Sequence, residues 1–248
     1  MIFAAGLGTR LKPLTDSIPK ALVQIDGVPM LERIARRLVD AGASRLVINA
    51  HHFADKVVDF VVERQGFGVH TDVSLEAGLL ETGGGVLNAE RFLSGDGNFL
   101  IHNVDVLSNL DIRTFASSAR EGALSTLAVS RRESSRHLLF DSDLRLVGRI
   151  DHRTGVVESP FGDIDPSRYT ALAFGGIHLM SGKAFELMRS LGFEGRFPIM
   201  DFYLKAAASH PIYAYLQDGF RMMDMGKAES LPQAEAFARE LDGHAFCD

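Results

Sequence analysis

The stretch Phe3–Val23, FAAGLGTRLKPLTDSIPKALV, decides how this chain is read. It begins in an apolar run, Met1 to Ala5, with the texture of a buried strand. Gly6 and Gly8 then open a turn whose backbone N–H groups can approach an anion without Cβ hindrance. Thr9 and Arg10 follow at once, and Lys20 comes ten residues later behind Pro19. A bent, glycine-bearing loop with one Arg and one Lys beyond a strand suits a triphosphate.

Two familiar phosphate loops do not fit. The dinucleotide fingerprint needs a third glycine where Leu11 stands. The P-loop needs Gly-Lys-Ser/Thr at its end, whereas Lys12 is followed by Pro13. Pro13 and Pro19 also punctuate the segment, so no helix is expected directly behind the loop. What is left is G-x-G-T-R-L-x-P-L-T with P-K-x-L-V behind it. That pattern resembles the signature of sugar-1-phosphate nucleotidyltransferases.

The composition is that of an ordinary soluble globular protein, 46% hydrophobic and 23% charged over 248 residues. A net charge of −6 speaks against non-specific nucleic-acid binding, though a nucleotide pocket needs only a few local cations. The single cysteine, Cys247, excludes a disulfide framework and fits a reducing compartment. Neither a signal peptide nor a bilayer-spanning apolar run is evident, so no membrane partner and a cytoplasmic location are expected. Internal repeats, coiled-coil heptads and the hexapeptide repeats of a C-terminal β-helix domain are absent from the sequence.

Outward from the loop, Met30, Leu31, Ile34, Leu38 and Ala41 recur at helical spacing, with Glu32, Arg33, Arg36 and Arg37 largely opposite. RLVINA, 45–50, is a second buried strand and 54–63 a second helix; 69–75 alternates as a third strand ending at Glu76. Such an order is that of a layered α/β sheet. Leu80-Glu81-Thr82-Gly83-Gly84-Gly85 then leads into a helix carrying Val86, Leu87, Ala89 and Phe92. The glycines make either a tight strand-to-helix turn or a backbone-lined slot for a planar base. NFLIHNVDV, 98–106, is a fourth strand with Asp105 at its carboxyl end, where open α/β sheets bind ligands. A carboxylate there serves equally as a hard oxygen ligand for Mg²⁺ or as a turn or N-cap residue ahead of the next helix.

Beyond Ser125 short strands joined by polar turns (125–131, 137–141, 144–150, 156–158) read as a β-meander over the sheet, within about 125–170. The strand 171–180 is interrupted at Gly175-Gly176, where a ligand or another backbone can approach. Helices are expected at 183–191 and 199–208, strands at 212–216 and 220–225, and a closing helix at 228–241. The expected whole is one nucleotidyltransferase domain, 1–248: a Rossmann-like three-layer α/β/α fold with a mixed, mainly parallel central sheet.

The resemblance carries implications residue by residue. It implies that Arg10 contacts the triphosphate and that Lys20 bridges the phosphates of nucleotide and sugar. It implies that Asp105 and Asp224 hold Mg²⁺, with Arg10, Lys20 and Asp105 the catalytic set. Ala5, Gly6, Gly8, Thr9, Arg10, Thr82, Gly83, Gly84 and Asp105 would meet the nucleotide; Lys20, Asn103, Glu158 and Gly176 would meet the sugar phosphate. The E-T-G-G-G run is similar to the base-recognition segment of N-acetylmuramate-1-phosphate uridylyltransferases. That favours UTP and an N-acetylmuramate-type or other hexose 1-phosphate. Guanylyl, thymidylyl or cytidylyl transfer onto mannose, glucose or choline phosphate is the alternative within the class, and a non-catalytic NDP-sugar-binding regulator the alternative outside it. The family's N-G-D is Asn103-Val104-Asp105 here, which puts the acceptor in question. His51, His52, His102 and His178 lack zinc-ligand spacing and read as structural.

Overall fold

The computed structural model describes residues 1–95 and 97–244; Cys247 lies outside them. It shows a Rossmann-like α/β fold with a mixed, mainly parallel central sheet flanked by helices. The chain divides into two compact units. One comprises 1–79, 102–113 and the residues from Arg221 on, the other 80–101 and 114–220. The strand Asn98–Asn103 is divided between them.

In the first unit every ladder of the sheet is parallel. Ile2–Phe3 pairs with Arg45–Ala50 on one side and with His102 and Asn103 on the other. Arg45–Ala50 pairs in turn with His70–Leu75. A parallel sheet covered by helices needs apolar residues on both faces, and Leu46, Val47, Ile48 and Ala50 are all buried. Leu46, Val47 and Ile48 each contribute roughly 1.5–3 kcal/mol by leaving water. The helix Met30–Asp40 buries Met30, Leu31, Ile34, Ala35 and Leu38, as its spacing requires.

Its expected polar face is only partly solvated. Glu32 is buried between Arg36 and Arg64, and Arg37 turns inward to donate to the carbonyls of Ser108 and Leu110. Sequence spacing cannot show this, because an arginine's long apolar stem lets it reach carbonyls that another segment presents. The fourth strand is also shorter than expected. It stops at Asn103, and Val106–Ser108 leaves it to pair antiparallel with Met222–Asp224.

In the second unit the twelve-residue strand Thr170–Ser181 is the axis. Ser125–Ser130 and Arg136–Phe140 both pair with it antiparallel. Leu146–Asp151 and Val156–Glu158 continue from Arg136–Phe140 as a true meander, hydrogen-bonded into the sheet. Its hairpin tip lies at Asp141-Ser142-Asp143, where the Asp141 carboxylate accepts from the Asp143 N–H at 3.0 Å. The register breaks between Phe174 and His178, at the paired glycines, and Gly176 has φ +72°. Another backbone is what approaches there: a Cβ on Gly175 would lie 2.9 Å from the Ala128 carbonyl.

Among the described residues no helix is long and apolar enough to cross a membrane.

Candidate active site

The loop after Ile2–Phe3 is held from below by a buried polar clamp. Asn49 sits one strand over; its Oδ1 accepts from the Ala4 N–H at 2.7 Å and its Nδ2 donates to Glu76 at 2.5 Å. Buried polar groups in such a chain are costly unless each finds a partner. The clamp therefore fixes where Ala5 and Gly6 leave the sheet. No α-helix follows. The chain makes three single 3₁₀ turns instead, Thr9–Leu11, Leu14–Asp16 and Lys20–Leu22.

Gly8 adopts φ +66°, and a Cβ on it would press against Thr15 at 2.8 Å and Lys20 at 3.0 Å. Thr15, buried in the bend, donates its hydroxyl to the Gly8 carbonyl at 2.8 Å. This folding-back brings Lys20 beneath the start of the loop, with its Cδ 3.8 Å from where a Gly6 Cβ would stand.

Lys20 forms an ion pair with Asp105, and the two side chains are 12% and 19% exposed. Asp105 lies just past the end of its strand, as expected. The ladder between Val106–Ser108 and Met222–Asp224 sets Asp224 opposite Val106, and the Met225 N–H donates to the Asp105 carbonyl at 2.8 Å. Arg10 reaches Asp224 at 3.7 Å from the more exposed side. The four charged residues singled out in the sequence, Arg10, Lys20, Asp105 and Asp224, thus converge within the first unit.

Gly226, to which the sequence reading gave no role, lies against three of them. A Cβ there would be 2.8 Å from Asp224 Oδ1, 2.9 Å from Asp105 Oδ2 and 2.9 Å from Lys20 Nζ. Two hard carboxylate oxygens thus face one point, as a shared divalent cation requires. Among the described residues no group of three or more His, Cys, Asp or Glu converges to hold a metal.

The remaining expected residues are placed as follows. Asn103 ends its strand in the first unit, and Val104 beside it is buried, with its N–H on the Phe3 carbonyl at 3.1 Å. Thr82, Gly83 and Gly84 belong to the second unit. They lie inside the helix Glu81–Asn88, not ahead of it. The Gly83 and Gly84 amides donate to the Phe197 carbonyl at 2.9 and 3.2 Å, and Thr82 Oγ1 accepts from Ile199 at 3.0 Å. A Cβ on Gly83 would overlap the Phe197 ring at 2.2 Å and one on Gly84 the Gly195 carbonyl at 2.1 Å. Packing against this segment accounts for both glycines, and sequence spacing gives no sign of a partner more than a hundred residues away.

Glu158 pairs with Arg149 at 2.7 Å on the wall of a cleft of about 590 Å³ in the second unit. Arg136, His137, Asp151 and Phe174 also line that cleft. Hydrogen bonds from Arg153 and Arg136 hold the Asp151 carboxyl well below the usual carboxylate range.

The histidines serve the fold: His51 Nδ1 meets the Glu76 carbonyl, and His178 Nδ1 the Tyr203 hydroxyl. His102 is fully buried. Its Nδ1–H donates to the Asn103 carbonyl at 2.7 Å, Nε2 has no partner, and desolvation pushes its pKa down to about 3.

A parallel α/β unit that gathers two cations and two carboxylates at a glycine-bearing loop beyond its first strand defines a phosphate-handling protein of the Rossmann-like class. The sequence profile of the nucleotidyl transferase family matches residues 1–138, and the chain belongs to that family. It is similar to N-acetylmuramate alpha-1-phosphate uridylyltransferase of Caulobacter vibrioides, 41% identical over 110 residues, which are 42% of this chain and 44% of that protein. The enzyme of that name from Neisseria meningitidis is 40% identical over 45% of this chain and 48% of its own length. These matches thus span less than half of either relative. UTP–glucose-1-phosphate uridylyltransferase of Synechocystis is 27% identical over 94% of this chain and 61% of its own. Among solved structures, HddC from Yersinia pseudotuberculosis superposes with a TM-score of 0.75 at 24% identity, covering 96% of this chain and 97% of that one. UDP-glucose pyrophosphorylase from Acinetobacter baumanii gives 0.73 at 18%, covering 96% and 92%. At those identities the likeness is one of fold.

Proposed function

We propose that residues 1–248 act as one Mg²⁺-dependent nucleotidyltransferase domain, converting an NTP and a sugar 1-phosphate to an NDP-sugar and pyrophosphate. The observation that carries this reading is the convergence of Lys20, Asp105 and Asp224 on the space over Gly226, with Arg10 paired to Asp224 beside it. UTP is the favoured nucleotide and an N-acetylmuramate-type or other hexose 1-phosphate the favoured acceptor. The E-T-G-G-G segment and the names of the two uridylyltransferases support that choice.

A sugar phosphate is already an anion at neutral pH, so the reaction needs no strong general base. One of its phosphate oxygens attacks the α-phosphorus, and the bond to the pyrophosphate oxygen breaks with its electron pair leaving on pyrophosphate. The obstacle is repulsion between anions and charge build-up on the leaving group. Lys20 and Arg10 offset both by positioning and electrostatics, which is how phosphoryl-type transfers are mostly accelerated. Asp105 and Asp224 would hold Mg²⁺, which supplies further charge neutralisation at the phosphates. Gly6, Gly8 and Thr9 offer backbone groups to the triphosphate. Lys20, Asn103, Glu158 and Gly176 are assigned to the sugar phosphate, as the resemblance implies. Such substrates place the work in the cytoplasm, in nucleotide-sugar synthesis for the cell wall.

The test is pyrophosphate release across the four NTPs and a panel of sugar 1-phosphates, with and without Mg²⁺. UTP with a hexose 1-phosphate should give Mg²⁺-dependent release. No release from any pair, with nucleotide still binding, would overturn the enzymatic reading in favour of an NDP-sugar sensor.

A further inference from the structure

We propose that Gly226 is a positioning residue: its bare α-carbon reserves the space on which Lys20, Asp105 and Asp224 converge, and a side chain there would drive the two carboxylates off a shared cation without unfolding the chain. The proposal rests on the transfer reading above for the identity of that cation.

Glycine is often demanded by backbone conformation, but not here. Gly226 has no positive φ, unlike Gly8 or Gly176, so a left-handed backbone is not what calls for glycine there. What excludes a side chain is space. The three atoms nearest to such a Cβ, each below 3.0 Å, are charged ends of side chains: one oxygen from each aspartate and the lysine ammonium.

The segment is tied so that it cannot withdraw. The Gly226 N–H donates to Asp224 Oδ1 at 2.7 Å, the Met225 N–H to the Asp105 carbonyl at 2.8 Å, and the Ser230 hydroxyl to the Asp224 carbonyl at 3.0 Å. An added methyl must therefore displace the charged ends, not the backbone. Flexible ends move at little cost in folding, but a cation site does not tolerate ligands pushed apart by more than a few tenths of an ångström.

The experiment compares the full chain with Gly226→Ala. Free Mn²⁺ is followed by electron paramagnetic resonance in the presence of UTP, and thermal unfolding by circular dichroism. Gly226→Ala should unfold within a few degrees of the wild type while its Mn²⁺ affinity falls by about tenfold or more. Unchanged Mn²⁺ affinity would overturn the proposal and leave the transfer reading standing. A large fall in unfolding temperature alongside lost binding would also overturn it, because the glycine would then be structural. A wild type that binds neither Mn²⁺ nor UTP would sink the transfer reading and this proposal with it.

Discussion

Lys20 and Asp105 stand 85 residues apart in the chain, yet their side chains form a direct ion pair that is mostly shielded from water. The oxygen that accepts from the ammonium, Oδ2 of Asp105, is also one of the two that face the space over Gly226. In the proposed reaction a lysine and a divalent cation would therefore compete for one carboxylate oxygen.

Replacing the lysine should separate its two effects. Lys20→Met frees Asp105 Oδ2, so Mn²⁺ affinity without nucleotide should rise roughly fivefold, about 1 kcal/mol for a partly exposed pair. Turnover should fall by about 10²–10³, the cost of losing one charge-stabilising group. Mn²⁺ titration by electron paramagnetic resonance and a pyrophosphate-release assay read the two separately.

Asp224→Asn should show the opposite division between stability and function. Asp224 and Arg10 are about half exposed and 3.7 Å apart. A pair of that kind contributes little to folding, and the urea midpoint should move by less than about 0.5 kcal/mol in stability. Turnover should nonetheless drop by about a hundredfold or more, since a carboxylate facing the cation is lost.

Arg37→Met tests what supports the site from behind. Arg37 donates to the carbonyls of Ser108 and Leu110 and to the Ser108 hydroxyl, and burial pushes its pKa down to about 10. Methionine retains the apolar stem but leaves those carbonyls unpartnered. Unfolding in urea should show a loss of about 2–3 kcal/mol, the range for hydrogen bonds to a charged group.

His102 should make the protein acid-sensitive. Its folded pKa, about 3, lies below the ordinary value of 6.5. As pH falls below about 6.5 the unfolded chain takes up a proton that the folded chain refuses. Stability from this group is therefore full above that pH and lost on the way down to about 3, with a slope approaching about 1.4 kcal/mol per pH unit. Urea unfolding between pH 7 and 4 should show the slope, and His102→Gln should flatten it. An NMR titration in which His102 protonates near pH 6 would refute this.

Gly84→Ala should invert the usual helix rule. Within an exposed helix this change stabilises by up to about 1 kcal/mol. Here the new Cβ meets a backbone carbonyl, that of Gly195, at 2.1 Å. Backbone cannot step aside as a lysine ammonium can, so the expected outcome is a loss of about 1–3 kcal/mol by thermal or urea unfolding.

Much of this was legible in the sequence because its causes are local. The apolar run of 45–50, the alternation of 69–75, the helical spacing of 30–41 and the glycine-arginine loop each act over one or two turns of chain. They suffice for a layered α/β fold, for Asp105 at a strand end and for a phosphate loop that does not enter a helix. Glu32 and Arg37 defeated the polar-face reading because their partners come from other segments: Arg64 for Glu32, Ser108 and Leu110 for Arg37. Gly83 and Gly84 defeated the loop reading for a similar reason, since what they accommodate is Phe197 and Gly195.

By itself the sequence determined the class of fold, the loop and the kinds of side chain available to bind phosphate. Only the tertiary structure decided that Lys20, Asp105 and Asp224 would meet over a glycine that no motif had marked. Strand register sets that meeting: Asp224 reaches Asp105 because Met222–Asp224 pairs with Val106–Ser108 and the Met225 N–H closes on the Asp105 carbonyl. Register between segments more than a hundred residues apart is fixed by packing, which no local pattern encodes.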